Sequence, residues 1–228
     1  RAFDEYSLAR ELAPDDPEIL MGLGLLAAKQ QRDDLAQESL EAAVTLGPEV
    51  LDETQMRVAL LRLGECAFRN GDLEQAKAHL EAVVQAEPDN VDALRTVIAV
   101  LEVHEDWDQV ITLKERVLAL QRDPLERFQL HMEIGDAYRD HLEDTAEAVR
   151  RYEAALGEGV VSKAPVLQIV DIHAKTRNFS EAIRWLATLI EQEEENPRRA
   201  LYAMSIAVIY RDELDDLEQA VKFFNQVL

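Results

Sequence analysis

Residues 17–50 read PEILMGLGLLAAKQQRDDLAQESLEAAVTLGPEV, and their pattern decides the fold. Small residues stand at Gly24 and Ala36, on either side of a polar turn at 31–34. Apolar side chains recur at helical spacing before and after that turn, and Pro48 closes the stretch. Because proline lacks a backbone donor, it marks a break between helices. The stretch therefore predicts two helices joined by a short turn.

The same pattern returns along the whole chain. The small residue early in each second helix falls at Ala2, Ala36, Ala76, Val110, Ala148, Ala182 and Ala220. These positions are 34, 40, 34, 38, 34 and 38 residues apart, a base period of 34 with insertions. A matching column in the first helices holds Gly24, Gly64, Ile98, Gly135, Val170 and Ala207, and polar turns recur at 70–72, 105–106, 143–145, 177–179 and 215–216. Such a period predicts stacked helical repeats.

These columns carry three packing expectations. Gly24 and Ala36 are expected to let the two helices of a hairpin approach closely, since larger side chains there would cost about 1–3 kcal/mol by overpacking. Larger residues such as Tyr152 and Phe224 are expected to fill the space between neighbouring hairpins. Residues 49–56 add six residues to the base period and predict a first helix longer by more than one turn.

On these residues the chain resembles the tetratricopeptide repeat family, whose unit is a helical hairpin of about 34 residues. Residues 17–50 and 57–90 carry the resemblance best, and the unit at 91–127 departs from it at Ile98, Val110 and Lys114. The resemblance implies an all-α fold, a right-handed α-solenoid (superhelix) of helix-turn-helix hairpins. We expect a single solenoid over 1–228 that is a piece of a longer protein. Its expected divisions are 1–16 (the second helix of a truncated repeat), 17–50, 51–90, 91–127, 128–162, 163–199 and 200–228 (a truncated repeat).

Composition restricts the class of partner. The 228 residues include 46 acidic and 24 basic side chains, which gives a net charge of −22. Binding to a phosphate backbone needs clustered Lys and Arg, so we expect no nucleic acid partner. The longest apolar runs are far shorter than the roughly 18 residues of a membrane span, so we expect no direct membrane insertion. A single cysteine, Cys66, is compatible with a reducing compartment, and we predict a cytoplasmic location.

Residues that could carry chemistry do not form known motifs. The five histidines show no metal-binding spacing. Cys66 has no basic neighbour in the sequence that is placed to lower its pKa, so it is expected to be an inert thiol. No phosphate loop or nucleophile motif occurs. We therefore predict no catalytic residue, no metal and no cofactor, and we do not expect an enzyme.

The remaining candidate is a surface. In the resembled family the first helices line the concave side, and stacking places their equivalent residues next to each other. The column three residues before the small position holds three of the four methionines. Methionine adapts to varied apolar ligands, so we predict an amphipathic groove that binds a peptide or a partner segment. The predicted binding residues are Met21, Leu25, Leu61, Glu65, Phe68, Arg95, Glu102, Met132, Asp136, Arg139, Leu167, Asp171, Met204, Val208 and Arg211.

Alternatives stay open for the column and for the function. Burial between neighbouring helices explains the methionine column equally well. Acidic and basic residues are nearly balanced on the predicted inner face, so the sequence does not call for a basic partner. The predicted function is a non-enzymatic protein-interaction scaffold, in which Arg95, Arg139 and Arg211 orient the ligand. The alternative is a structural spacer or self-association module that contacts copies through the open ends of the solenoid.

Overall fold

The computed structural model describes residues 2–225, and in that range it contains thirteen helices and no strand. Residues 1 and 226–228 belong to the first and last expected units and lie outside the described residues. The prediction of an all-α fold is confirmed. The helices are α1 Ala2–Leu12, α2 Pro17–Lys29, α3 Asp33–Leu46, α4 Glu53–Asn70, α5 Leu73–Ala86, α6 Val91–Val103, α7 Trp107–Leu120, α8 Pro124–Asp140, α9 Thr145–Gly157, α10 Ala164–Lys175, α11 Phe179–Gln192, α12 Asn196–Asp212 and α13 Leu217–Phe224.

The helices pack as hairpins within two compact units. Unit 1 comprises residues 1–120 and unit 2 comprises residues 121–228. In unit 1, α2 pairs with α3, α4 with α5 and α6 with α7, and each hairpin also contacts the next. In unit 2, α8 pairs with α9, α10 with α11 and α12 with α13, with the same contacts between successive hairpins. Each unit is thus an α-solenoid, and the single solenoid over the whole chain stays a prediction.

Every hairpin turn contains one residue in the left-handed backbone region. These residues are Gln31, Gly71, Glu105, Glu143, Arg177 and Asp215, with φ between 52° and 81°. Each lies in one of the polar turns predicted above. A residue with a Cβ in this region costs about 1–2 kcal/mol. Only Gly71 avoids this cost, because glycine has no Cβ.

Two of the expected repeat boundaries were misplaced, because each falls inside a helix. The boundary at 127/128 falls inside α8, which begins at Pro124 behind the capping residue Asp123. The boundary at 199/200 falls inside α12, which begins at Asn196. Proline suits the first turn of a helix, where its missing N–H would have no intrahelical partner. Pro124 and Pro197 therefore each open a repeat and do not close the preceding one.

The first helix of the second complete hairpin is longer than its neighbour, as predicted. α4 has 18 residues whereas α2 has 13. A capping box fixes its start, since the Asp52 carboxylate accepts from the Gln55 N–H at 2.7 Å and the Gln55 side chain accepts from the Asp52 N–H at 2.8 Å. The inserted residues thus form the connection before α4 and the added length of the helix.

The glycines of the first-helix column occupy matching places. A Cβ added to Gly135 would lie 2.7 Å from the Tyr152 ring of the same hairpin. The same close approach pairs Gly24 with Leu40 at 2.6 Å and Gly64 with Leu80 at 2.5 Å. The close contact within a hairpin is confirmed. Tyr152 also packs in one buried cluster with Ile169 and Ile172 of the next hairpin, as expected for a residue between hairpins. Its ring uses the space that the missing Cβ of Gly135 leaves.

Candidate protein-interaction surface

The first helices of unit 1 lie next to each other. α4 contacts both α2 and α6, so equivalent positions of the three helices form one surface. Two cavities open there, of about 610 Å³ and about 420 Å³, and they share Glu65 and Arg69. We name these two cavities the unit 1 groove. The larger is lined by Leu25, Ala28, Lys29, Gln31, Val58, Arg62, Glu65 and Arg69, and the smaller by Glu65, Phe68, Arg69, Arg95, Thr96 and Ala99.

Both cavities of the unit 1 groove offer apolar contact. Leu25 and Val58 line the larger cavity, and Leu25 is held in place by the core cluster below it. Phe68 lines the smaller cavity and is half-buried. Apolar side chains supported by a packed core can receive an apolar side chain of a partner without first becoming ordered.

Basic side chains outnumber acidic ones around the unit 1 groove. Lys29, Arg62, Arg69 and Arg95 line it, whereas Glu65 is the one acidic residue in the two linings. The Arg62 guanidinium lies 2.7 Å from the Glu65 carboxylate. Four basic side chains thus line the groove, and two of them, Arg62 and Arg69, face a carboxylate, whereas the sequence predicts an inner face of nearly balanced charge.

Arg69 is fixed at the centre of the groove by a carboxylate from the second helix of the first complete hairpin. Its Nε and Nη2 donate to Asp33 at 2.9 and 2.7 Å. This guanidinium holds the pKa of Asp33 below its usual value. The ion pair joins α3 to α4 and so sets the position of the residue that the two cavities share.

The structure divides the seven predicted binding residues of unit 1 into two groups. Leu25, Glu65, Phe68 and Arg95 line the groove. Met21, Leu61 and Glu102 do not belong to either lining.

Packing within unit 1 accounts for the residues outside the groove. Met21 and Leu61 are each 8% exposed, and Met21 packs in a core cluster with Leu40 and Leu51. Burial between helices, the second alternative for the methionine column, therefore holds at Met21 and Leu61. Glu102 lies 2.9 Å from the buried Lys114 ammonium, so it serves as the counter-charge of a core lysine.

Sequence reasoning missed several residues of the groove. Val58, Arg62 and Thr96 line it but were not predicted. Lys29 and Arg69 also line it; they were counted among the charges of the predicted inner face but not among the binding residues. Arg62, Glu65 and Arg69 are spaced i, i+3 and i+7, which places them on one face of a helix. That spacing around the predicted Glu65 is the signal that could have identified Arg62.

In unit 2 the apolar predicted residues remain partly accessible. Leu167 is 44% exposed and Met204 is 42% exposed. Met132 is half-buried against the cluster that contains Tyr152 and Ile169, and Val208 is half-buried on α12. The methionine column therefore faces solvent in part of unit 2, in contrast to its burial in unit 1.

The charged predicted residues of unit 2 are engaged within the unit. Arg139 donates to the Tyr152 hydroxyl at 2.9 Å, to the Gln168 side chain, and to both oxygens of Asp140 at 2.6 and 2.7 Å. The Tyr152 hydroxyl in turn donates to Asp136 at 2.8 Å. This network ties α8 to α9 and α10 and lowers the pKa of Asp140.

Two further charged residues of the predicted set have local partners. Asp171 lies 2.7 Å from Lys175, and Arg211 donates to Asp212 at 2.6 and 2.8 Å. The Arg211 guanidinium also lies over the Phe224 ring, 5.9 Å from its centroid. Because their charges are already compensated, these side chains are less available to a ligand than the sequence suggested.

A buried histidine lies near the C-terminal end of α9. His131 Nε2 is 3.5 Å from the Glu158 carboxylate, and Arg127 binds the same carboxylate at 2.9 Å. Burial lowers the pKa of His131, and the positive charges of Arg127 and Arg151 act in the same direction, while Glu158 opposes them. The imidazole is thus a packing group that resists protonation.

Known proteins share both the repeat and the fold. Family models described as tetratricopeptide repeat match residues 1–50 and residues 49–101. The chain is a tetratricopeptide repeat protein. Tetratricopeptide repeats are generally protein-interaction scaffolds, which confirms the class of function predicted from the sequence.

Three relatives show how far the likeness of this tetratricopeptide repeat protein extends. It is 27% identical over 155 residues to the TPR repeat-containing protein YpiA of Bacillus subtilis (strain 168), covering 68% of this chain and 34% of that protein. The C-terminal part of a TPR repeat-containing protein from Cytophaga hutchinsonii matches with a TM-score of 0.65, 13% identity, and coverage of 99% and 88%. A tetratricopeptide repeat protein from Parabacteroides merdae matches with a TM-score of 0.60, 18% identity, and coverage of 92% and 78%. At these identities the solved structures show the fold alone, and the chain spans about a third of the length of the curated relative.

Three observations on the described residues concern metal binding, the single thiol and membrane crossing. Among residues 2–225 no three His, Cys, Asp or Glu side chains converge to hold a metal ion. Contrary to the sequence expectation, Cys66 has a basic neighbour, since Arg69 Nη2 lies 3.4 Å from its sulfur. Burial nevertheless raises the pKa of the Cys66 thiol to about 11 and keeps it protonated. Within the same range, none of the helices combines the length and apolarity that crossing a bilayer requires.

Proposed function

We propose that this chain is a non-enzymatic protein-interaction module and that the unit 1 groove binds a peptide segment of its partner. The observation that carries the proposal is the alignment of apolar and charged side chains from α2, α4 and α6 around two adjoining cavities. Volumes of about 610 and 420 Å³ lie in the range of about 300–1,000 Å³ that ligand sites occupy. We place this activity in the cytoplasm, in keeping with a single buried cysteine, and fractionation of cells expressing the parent protein tests the location.

The apolar anchors of the interaction are Leu25, Val58 and Phe68. These residues line the cavities and so take the role that the sequence assigned to Met21 and Leu61, which are buried in the core. A few apolar anchors within a polar rim supply most of the binding energy in peptide recognition. On unit 2, the exposed Leu167 and Met204 are candidates for a separate contact surface.

Site-specific crosslinking tests the unit 1 groove. A photo-reactive benzoylphenylalanine at Val58 should crosslink the partner in a native extract of the parent protein, and mass spectrometry then identifies the partner. The same group at Val103, which is exposed on α6 but does not line either cavity, is the matched control.

Affinity for the identified partner completes this test. V58E should lower the affinity at least about tenfold, because it places a charge where an apolar side chain is bound, whereas V103E should leave it unchanged. Circular dichroism checks that both variants are folded. Equal affinity of V58E and V103E would contradict the proposal.

Self-association is the second candidate, and exposed apolar residues on the outermost helices favour it. Leu8 and Leu12 are exposed on α1 in unit 1, and Leu217 and Val221 are exposed on α13 in unit 2. Contiguous exposed apolar surface is characteristic of protein contacts. Sedimentation equilibrium of the chain should then show a concentration-dependent dimer that the L8E/L12E variant abolishes. A monomer at all concentrations would exclude this function for the chain.

A further inference from the structure

We infer that unit 2 holds a second peptide-binding site, at which an uncharged apolar side chain of an extended partner segment packs against Trp185. The site is a cavity of about 660 Å³ between α9, α11 and the connection 158–163 that leads to α10. We name it the unit 2 cavity. The connection and the second helix α11 supply most of its lining, whereas first helices line the unit 1 groove. The inference is therefore independent of the groove and goes beyond the proposed function.

Ion pairs hold both ends of the connection 158–163. At its start the Glu158 carboxylate accepts from the Arg127 guanidinium at 2.9 Å. At its end the Lys163 ammonium pairs with Glu193, which is buried. This wall of the unit 2 cavity is thus in place before a ligand arrives, so binding requires less ordering of the protein.

The lining of the unit 2 cavity favours an uncharged, apolar group. Leu156, Val166 and Trp185 supply apolar surface from three different helices. Trp185 packs against two core clusters of unit 2, which restrain its indole ring. Among the described residues that line the cavity, Lys163 is the one that carries a charge, and Glu193 compensates it. A charge entering the cavity would lose water without gaining a counter-charge, whereas an apolar group would gain contact.

The connection also offers main-chain hydrogen bonds, and these favour a peptide as the occupant. Within the described part of the chain, the backbone N–H and C=O groups of Val160, Val161 and Ser162 have no hydrogen-bond partner. The Val161 side chain is fully exposed, so a ligand can approach the main chain here. An extended peptide can pair with such groups as an added strand does, and its side chains alternate between opposite sides. One side chain can thus enter the cavity while the main chain is held at 160–162.

Titration of a short peptide into the whole chain tests this inference. The chain has two tryptophans, so W107F leaves the Trp185 indole N–H as the single tryptophan indole signal of a ¹⁵N-labelled sample. The probe is acetyl-Ser-Thr-Phe-Thr-Ser-amide, called the Phe peptide. Its binding should be saturable and should shift the Trp185 indole signal and the amide signals of 160–162.

Matched peptides test which chemistry is recognised. Peptides with Glu or Lys in place of Phe should bind at least about fivefold more weakly, because they bring a charge to an apolar cavity. A Phe peptide that is N-methylated at both Thr residues should also bind several-fold more weakly, since it lacks donors for strand pairing.

Filling the cavity places the effect at this site. Thr188 lines the cavity, and its hydroxyl donates to the Arg184 carbonyl. Thr112 on α7 makes the same contact with the Asp108 carbonyl but belongs to neither the unit 2 cavity nor the unit 1 groove. T188F should weaken the Phe peptide at least about fivefold, because the new ring occupies the volume that the ligand needs. T112F should leave the affinity unchanged, and circular dichroism checks that both variants are folded.

Main-chain pairing is tested at the exposed Val161. V161P removes one backbone N–H and should weaken the Phe peptide several-fold, whereas V161A should not. Toluene, which represents the probe side chain alone, should shift the Trp185 indole signal equally in V161P and V161A, because the cavity is unchanged. These variants leave the packed side chains in place, so they decide the question even if T188F does not fold.

Three outcomes would overturn the inference. The first is the absence of a saturable shift at Trp185 with the Phe peptide. The second is equal affinity for the Phe, Glu and Lys peptides. The third is a Phe peptide that shifts Trp185 but not 160–162 while toluene binds as tightly, which would assign the cavity to a small apolar ligand. V58E changes the unit 1 groove and should leave the Phe peptide unaffected, so this inference and the proposed function can fail separately.

Discussion

Replacing Gly135 by Ala tests the packing that defines the hairpin. A Cβ at this position would lie 2.7 Å from Cε1 and 3.0 Å from Cδ1 of Tyr152. Carbon atoms in favourable contact are about 3.5–4.0 Å apart, so the ring or the helices must move. The ring is restrained, because its hydroxyl donates to Asp136 at 2.8 Å and accepts from Arg139 at 2.9 Å.

Two opposing terms set the size of the effect. Overpacking a well-packed core costs about 1–3 kcal/mol. Replacing glycine by alanine within a helix favours folding by about 0.5–1 kcal/mol. Gly135 lies well inside α8, so both terms apply, and we expect G135A to lower the free energy of unfolding of unit 2 by up to about 2.5 kcal/mol, with a central value of about 1 kcal/mol.

Tryptophan fluorescence measures this loss in unit 2. The chain has two tryptophans, Trp107 in unit 1 and Trp185 in unit 2. Trp185 packs against the cluster that contains Tyr152, so urea unfolding in a W107F background reports on the packing of this hairpin. The midpoint should fall in G135A while the dependence of the free energy on urea stays unchanged.

A second glycine of the same hairpin is the control. A Cβ at Gly157, the last residue of α9, would have no heavy atom within 4 Å, so G157A should be neutral or stabilising by up to about 1 kcal/mol. In a Y152F background the ring is no longer held by its hydroxyl, and G135A should cost less. A G135A variant as stable as G157A would refute the reasoning, since both would then show only the gain in helix propensity.

Four further effects are expected from changes at single residues. G71A should lower the free energy of unfolding by about 1–2 kcal/mol, because Gly71 has φ 81°. E143G should raise it by up to about 1 kcal/mol, because Glu143 is exposed and has φ 55°. Urea unfolding measures both changes. Burial lowers the pKa of His131, so its contribution to stability is complete above the ordinary imidazole pKa of 6.5 and is lost as the pH falls below it. Thermal unfolding between pH 7 and pH 5 should show stability falling with pH. H131Q should make this pH dependence smaller. E102Q should destabilise unit 1 more than K114M in the same unfolding assay, because E102Q removes the Glu102 counter-charge from a buried lysine while K114M removes the lysine charge itself.

The hairpins could be predicted from the sequence because their determinants are local. The polar turn at 70–72 supplies a glycine in the left-handed region, and the aspartate after it caps α5. Helical spacing of apolar residues then places Leu80 opposite Gly64. The expected boundaries at 127/128 and 199/200 failed for an equally local reason, since proline was assigned to the end of a repeat when it occupies the start of the next helix.

The site was predicted only in part because it depends on how hairpins pack on each other. Met21 and Leu167 occupy the same column of the repeat, yet Met21 is buried and Leu167 is largely exposed. In unit 1 the segment before α4 contributes Leu51 to the cluster that encloses Met21. This segment belongs to the inserted residues. The spacing of the repeats shows how many residues are inserted, but it does not show where the inserted segment runs in the structure. Leu25 and Glu65 belong to one column of the repeat and both line the groove, while their role in binding stays a prediction.

The charge of the groove shows why counting residues on a predicted face misleads. Lys29, Arg139 and Arg211 were all counted as cations of the predicted inner face. Arg139 and Arg211 are each bound to the aspartate that follows them in the chain. Lys29 has no such partner among the described residues and stands at a cavity rim. A charge acts on a ligand when its own counter-ion is absent or distant, and this property depends on side-chain geometry.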